Sequence, residues 1–297
     1  MEDPLKGLVT VDSTPIELQK SPRIALIAEV GINHNGDLDL AKRLVDIAVD
    51  AGCDAVKFQK RTVDVVYPRD VLESPRDSPW GTTQRAQKEG LEFGIDEYEE
   101  IDRYCKARGI AWTASAWDLE SLDFVERFQP PFHKIASALV THLEFVAAVA
   151  ALGRPTLIST GMATVTTIDQ VVETFRRART PFALMHTVST YPSPETDLNL
   201  LAIPTMRARY GVAVGYSGHE ASVSPTVVAA TLGAGIIERH ITIDRTMYGS
   251  DQSASLEEAG LRQLAGVLRK LPAMMGSGEK ELAPGEAEVA RKLRYWE

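Results

Sequence analysis

The chain has 297 residues, and 32 Lys plus Arg against 41 Asp plus Glu leave a formal charge of −9. With 44% hydrophobic and 25% charged residues it reads as a folded globular protein of one large domain or two small ones, not a disordered one. The acidic balance excludes a bulk nucleic-acid binder, which shows a basic face, but allows a local basic pocket for a small anion.

In chain order, residues 1–21 form an N-terminal extension. The start MEDPLKGLVTVDS has no basic region followed by an apolar stretch, so no signal peptide is expected. No apolar run reaches the ~18 residues that span a bilayer, and the expectation is a cytoplasmic protein without a membrane partner. The first strand is predicted over 24–30. Asp37 can cap a helix to Asp50 with Leu38, Ala41, Leu44, Val45 and Ala48 on one face, and Gly52 ends it. Cys53 follows, before a strand over 54–59; Cys53 and Cys105 give at most one disulfide and are expected reduced. Residues 60–94 break the rhythm with Pro68, Pro75, Pro79 and Gly81 and read as a long insertion, of the kind that is usually functional.

The rhythm then resumes. Helices over 95–108, 118–128, 142–152, 166–178, 198–209 and 221–233 each lead into a strand, at 110–117, 133–137, 156–160, 182–188, 212–217 and 236–243, and a last helix covers 256–271. Eight β and eight α units in alternation demand parallel strands with crossover helices. They predict an α/β protein, a (β/α)8 TIM barrel, as a single domain over 22–271. No Gly-x-Gly-x-x-Gly follows the first strand, which weighs against a dinucleotide-binding sheet. The tail 272–297, with Gly276-Ser-Gly278 and Pro284-Gly285, reads as a linker or partial helix and not a second domain.

In such a barrel the strand C-termini face the active site. Polar residues crowd there. Glu29 ends the first strand, Lys57 and Gln59 share one face of the second, and Ser115 lies in the third. Lys134 and Ser137 are in the fourth, Ser159 and Thr160 end the fifth, Ser217 and His219 end the seventh, and Glu238 and His240 share a face of the eighth. Charged groups inside apolar strands are costly to bury unpaired, and several at the same end of neighbouring strands point to a site rather than to isolated ion pairs. Lys57 and Lys134, with Ser137, Ser159 and the Gly161 backbone, suit a phosphate and a carboxylate. His219 and His240 are a plausible divalent-metal pair, with the metal itself left open. Asp251, in the loop after the last strand, is within reach of a metal or a sugar hydroxyl. His133 and His142 read as packed core residues, His186 lacks a clear partner, and His34 is a turn residue or a substrate contact.

Seven stretches occur in this order in the N-acetylneuraminate (sialic acid) synthase family, which the chain resembles over about 22–290. They are Ile27-Ala-Glu-Val-Gly-Ile-Asn-His-Asn-Gly36, Ala55-Val-Lys-Phe-Gln59, Lys134-Ile-Ala-Ser137, Leu157-Ile-Ser-Thr-Gly-Met162, Tyr191-Pro-Ser-Pro194, Val214-Gly-Tyr-Ser-Gly-His219 and Ile237-Glu-Arg-His240. The resemblance implies a (β/α)8 barrel, a homodimer, and condensation of phosphoenolpyruvate with an aldose such as N-acetylmannosamine. The products would be a 2-keto-3-deoxy sugar acid and phosphate. It implies a divalent cation, manganese first and magnesium or cobalt as alternatives, on His219 and His240. It places phosphoenolpyruvate on Lys57, Gln59, Lys134, Ser137, Ser159 and Ser189, and acidic groups Glu29, Glu238 and Asp251 near the reacting centre. Ser115, Tyr191 and Ser217 complete the substrate-side candidates.

Three departures qualify the resemblance. Leu139 stands where the family has an acid, with Ala138 before it in place of glycine, and Gly218 stands where an aspartate usually precedes the first histidine. The missing acid predicts a changed sugar side. The chain also ends before the small antifreeze-like domain that members commonly carry; the pocket is then expected to be more open, or filled from the insertion, where Arg61, Arg69, Arg76 and Arg85 are available. The competing expectations are a metal-dependent or Schiff-base aldolase on the same barrel, using Lys57 or Lys134, and a non-catalytic sugar-acid sensor.

Overall fold

A computed structural model describes residues 23–296; the extension over 1–21 lies outside them. The elements run β1 (Ala25–Gly31), α1 (Leu38–Ala51), β2 (Ala55–Lys60), α2 (Val63–Val66), α3 (Arg69–Leu72), β3 (Pro75–Ser78), β4 (Gly81–Thr83), α4 (Gln84–Gly90), α5 (Ile95–Arg108), β5 (Ala111–Ala116) and α6 (Leu119–Glu126). They continue β6 (His133–Ile135), α7 (Leu143–Ala151), β7 (Thr156–Ser159), α8 (Val165–Ala178), β8 (Phe182–Thr187), α9 (Ala202–Tyr210), β9 (Val214–Gly218), α10 (Ser224–Thr231), β10 (Ile236–His240), α11 (Glu258–Met275) and α12 (Glu286–Leu293). Eight parallel strands form one sheet in the order β5-β2-β1-β10-β9-β8-β7-β6. Its two ends meet where Thr113 Oγ1 of β5 donates to the Phe132 carbonyl beside β6 at 2.8 Å, so the sheet is a nearly closed barrel.

Local chemistry explains the elements. Asp37 caps α1 by accepting from the Leu40 amide at 3.0 Å, and Gly52 ends it with φ +80°, in the left-handed region that glycine adopts freely. Strand alternation then sorts side chains into two shells. Outward residues such as Leu26, Ala28, Val56, Phe58, Ile158 and Leu184 pack under the helices. Inward residues Ala25, Ile27, Ala55, Ala111, Phe132, Leu157, Ala183, Met185 and Ile236 form a separate apolar plug inside the barrel. The next inward positions toward the strand C-termini are polar: Glu29, Lys57, Gln59, Ser115, Lys134, Ser159, Thr187, Ser217, Glu238 and His240. The plug closes the floor, and the polar layer above it is the site.

The insertion 60–94 carries three short helices, α2, α3 and α4, and an antiparallel β3–β4 hairpin. In the tail α11 continues to Met275 and α12 follows as an exposed amphipathic helix. Two expectations need correction. β6 stops at Ile135, and Ser137 opens a 3-10 turn over Ser137–Leu139. His142 is no core residue; it is exposed and caps α7 by accepting from the Phe145 amide at 3.1 Å. His133 is buried beside Glu126 at 2.9 Å, and His186 finds its partner in the Leu198 carbonyl at 2.7 Å. His34 is a turn residue, stacked on Phe93 with ring centroids 4.1 Å apart and accepting from the Gly36 amide. Both cysteines are free. Among the described residues no helix is long and apolar enough to cross a membrane.

Candidate active site

A cavity of about 170 Å³ opens at the C-terminal mouth of the barrel. Every site residue expected from the sequence except Asp251 lines it: Glu29, Lys57, Gln59, Ser115, Lys134, Ser137, Ser159, Ser189, Tyr191, Ser217, His219, Glu238 and His240. Asp251 stands just behind, its Oδ2 3.6 Å from His240 Nδ1. Residues from all eight strands of the barrel, or the loops after them, thus converge as the barrel topology requires.

Charges alternate across the floor. Lys57 Nζ sits 2.7 Å from Glu29 Oε2 and 3.8 Å from Glu238 Oε1, and donates to Ser115 Oγ at 3.0 Å. Lys134 Nζ lies 3.7 Å from Glu238 Oε1 and donates to Ser159 Oγ at 2.6 Å. Gln59 Nε2 donates to Glu29 Oε1 at 2.8 Å, and Ser217 Oγ donates to Glu238 Oε1 at 3.0 Å. Burial tunes the groups apart. It pushes Glu29 up to about 7 against the opposing pull of Lys57, and Lys134 down to about 8 against the pull of Glu238. Burial would also raise Glu238, but Lys134 and Lys57 together hold it down to about 2. Lys57 goes up despite burial, because Glu238 and Glu29 flank it. The result is two cations, one firm carboxylate and one carboxyl poised near neutrality.

Opposite Lys134 is a cradle shaped for an anion. Ser137 Oγ accepts from the Gly161 amide at 3.2 Å. A Cβ on Gly161 would stand 2.2 Å from Ser189 Oγ and 2.7 Å from Ser137 Oγ, so only glycine lets these hydroxyls close in. Ser189 Oγ and Glu238 Oε2 are buried without a hydrogen-bond partner. Buried polar atoms left unpaired are a costly arrangement that a bound group relieves.

His219 and His240 stand with ring centroids 5.3 Å apart. His219 Nδ1 bonds the Val188 carbonyl at 2.7 Å, which leaves the Nε2 lone pair, taken here by the Tyr191 hydroxyl at 3.0 Å. Burial lowers His219 to about 4 and His240 to about 3, so both are neutral at pH 7, and His240 Nδ1 is buried without a hydrogen-bond partner. Two neutral imidazoles, His240 with an unpartnered nitrogen and His219 with one held only by a tyrosine hydroxyl, suit a divalent cation. Among the described residues no group of three or more His, Cys, Asp or Glu is placed to hold a metal alone, so water and substrate oxygens would complete the shell.

Sequence reasoning missed Thr187. Thr187 lines the cavity and donates to Ser159 Oγ at 3.3 Å; its alternation with Met185 on β8 would have shown it facing inward. Arg61 stacks over the Trp117 ring at 4.3 Å and bonds Gln59, whereas Arg69 and Arg85 point away to surface carboxylates. Leu139 does not face the sugar side at all: it is buried in the apolar core, and Ala138 lines the cavity instead. Gly218 has no room for an aspartate, since its Cβ would stand 2.5 Å from a Glu220 carboxylate oxygen.

The chain is similar to known proteins over most of its length. The NeuB family profile matches residues 44–280. N-acetylneuraminate-9-phosphate synthase of Homo sapiens is 38% identical over 271 residues, 90% of this chain and 76% of the human protein. N,N'-diacetyllegionaminic acid synthase of Campylobacter jejuni is 33% identical over 275 residues, 91% of this chain and 82% of that protein. The crystal structure of N-acetylneuraminic acid (sialic acid) synthetase from Leptospira borgpetersenii, in complex with citrate, superposes with a TM-score of 0.80 at 31% identity, covering 92% of this chain and 93% of that one. With the family profile matched over most of its length and relatives that are synthases of sialic-acid-like sugars, this chain is an enzyme of the NeuB family.

Proposed function

We propose that this enzyme condenses phosphoenolpyruvate with an aldose, giving a 2-keto-3-deoxy sugar acid and inorganic phosphate. The observation that carries the reading is the pairing of two buried lysines and a glycine-dependent serine cradle with two neutral histidines in one cavity. Lys57 and Lys134, with Ser137, Ser159 and Ser189, bind the carboxylate and phosphate of phosphoenolpyruvate through charge-assisted hydrogen bonds. Ser115 orients Lys57, and Gln59 orients Glu29. A divalent cation on His219 and His240, manganese in the first place, would when bound polarise the aldose carbonyl as a Lewis acid. Carbon–carbon bond formation from C3 of phosphoenolpyruvate to the aldehyde carbon leaves C2 electron-poor. Glu29 faces that centre, stabilises its charge and takes the proton of the water that adds there. The adduct then expels phosphate with cleavage of the C2–O bond, and the lysines stay on the departing anion.

The test is phosphate release from phosphoenolpyruvate, manganese and a panel of aldoses, with ¹⁸O in the bridging oxygen of phosphoenolpyruvate. C–O cleavage puts that label in the phosphate; label kept in the sugar acid would overturn the mechanism. His240→Ala should abolish turnover with the fold intact, and removal of metal by a chelator should abolish it reversibly. Because the lowered Lys134 is also what an imine-forming lysine needs, borohydride with each carbonyl substrate is the control. Covalent trapping at Lys134 would favour the aldolase.

A further inference from the structure

The next step rests on the metal role proposed for His219 and His240 and concerns the side chain that packs on both. The Val188 carbonyl can only accept, so His219 Nδ1 carries the ring's proton and donates to it at 2.7 Å. In the neutral ring Nε2 is then the lone pair, the one nitrogen of His219 that can bind an ion. The Tyr191 hydroxyl stands 3.0 Å from that nitrogen, and a phenol keeps its proton at neutral pH, so it donates. The tyrosine ring lies over the His219 ring with centroids 4.1 Å apart, and it meets the His240 ring edge-on at 5.7 Å and 89°. One side chain thus covers the pair and holds the lone pair that a cation needs.

A single lone pair serves an O–H or an ion, not both. The surrounding loop lets one replace the other without a change of backbone. Ser193 Oγ donates to the Val188 and Thr190 carbonyls at 3.1 and 2.8 Å, and the Ser193 amide donates to the His219 carbonyl at 3.0 Å. The two ends of the segment, Val188 and Ser193, are therefore both tied to His219. Ser193 is 5% exposed, whereas Tyr191 between them is 43% exposed. Rotation about the tyrosine side-chain bonds takes the hydroxyl off Nε2 and leaves those ties intact. The hydroxyl also has a reason to be there. A buried imidazole lone pair without a donor is costly, and the phenol removes that cost at His219, while His240 Nδ1 has no such partner. An ion removes the same cost only by displacing the phenol.

We propose that Tyr191 sets the metal affinity of the site: its hydroxyl competes with the divalent cation for His219 Nε2 and is displaced, still protonated, when the ion binds. The experiment titrates manganese(II) into the chelator-stripped full chain and into Tyr191→Phe without either substrate, reading the bound ion by electron paramagnetic resonance. Phenylalanine keeps a ring on the imidazoles and removes only the competitor. The dissociation constant should therefore fall by about two- to tenfold, the span of one hydrogen bond. Tyr191→Leu, which also lacks the hydroxyl, gives the same readout if the phenylalanine variant folds poorly. A second measurement uses zinc, a closed-shell ion that binds imidazole. Loss of the O–H···N bond should give a tyrosine difference band in the near ultraviolet that is absent from Tyr191→Phe. Metal affinity that is unchanged or weaker without the hydroxyl, or metal binding with no tyrosine difference band, overturns the competition while leaving the metal assignment in place. Manganese that binds neither chain, or binds His219→Ala as tightly as the wild type, overturns both.

Discussion

Glu220 and Arg239 form an ion pair of 2.9 Å whose side chains are both wholly buried, and each is the chain neighbour of one of the two cavity histidines. Arg239 points out of the barrel by strand alternation, into the layer between β9, β10 and α10. The Tyr216 hydroxyl at 2.8 Å and the Thr226 hydroxyl at 2.7 Å complete Glu220, while Arg239 also reaches the Ser222 carbonyl at 2.9 Å. Removing one partner leaves a buried, unpaired charge. Glu220→Gln and Arg239→Met should each cost about 3–5 kcal/mol in denaturant unfolding. A loss under about 1 kcal/mol would show that the pair is not what holds the strands behind the histidines.

Glu29 is the carboxyl placed to titrate near neutrality, pushed up to about 7 by burial. In its charged form it stabilises the electron-poor centre and accepts a proton, so kcat/KM should rise with pH through about 7. Glu29→Gln should lower kcat by roughly 10²–10⁴-fold and remove that limb of the profile. Stability moves the opposite way. The folded chain holds this proton between 4.5 and about 7 while the unfolded chain has lost it, so the group's contribution falls as pH rises across that window. An unchanged pH profile in the variant would exclude Glu29 from the proton step.

Much of this site was legible because a barrel strand has a period of two. Once Ile27 is inside, Glu29 must be, and Ala55 fixes Lys57 and Gln59 in the same way. The motif stretches then sort the inward polar residues into roles. What escaped was set by contacts that no local pattern encodes. Whether Leu139 faces a sugar or the core depends on where β6 ends and a 3-10 turn begins. Glu220 and Arg239 are each an ordinary charged residue in sequence, and only the register of β9 against β10 buries them together. The insertion resisted reading for the same reason, since its arginines divide between surface carboxylates and the barrel mouth by tertiary packing alone.

Lys134 sits low, at about 8, because burial strips its charge of water faster than Glu238 compensates. Phosphoenolpyruvate needs the ammonium form, so its affinity for the free enzyme should weaken as pH rises through about 8, as calorimetric titration would read. Lys134→Met should weaken binding by about 1.5–3 kcal/mol and flatten that dependence. For stability the sign is reversed. The unfolded chain binds the extra proton between about 8 and 10.5, so this group's contribution rises with pH there. Affinity that is flat from pH 7 to about 9.5 would place the substrate's anionic groups away from Lys134.

The two acids that the chain lacks make a direct test of whether sequence departures alter the sugar side. Leu139 is packed in the apolar core, and Gly218 has its would-be Cβ space taken by Glu220. Leu139→Asp therefore places an uncompensated charge among apolar groups and should cost several kcal/mol, about 3 or more, without changing the order of preference among aldoses. Gly218→Asp should displace the Glu220 carboxylate from Arg239 and destabilise by a similar amount. Thermal unfolding beside the aldose panel reads both effects. If Leu139→Asp instead left the melting temperature unchanged and shifted preference toward an N-acetylated aldose, the side chain at 139 would reach the substrate, and the core placement of Leu139 would be wrong for the working enzyme.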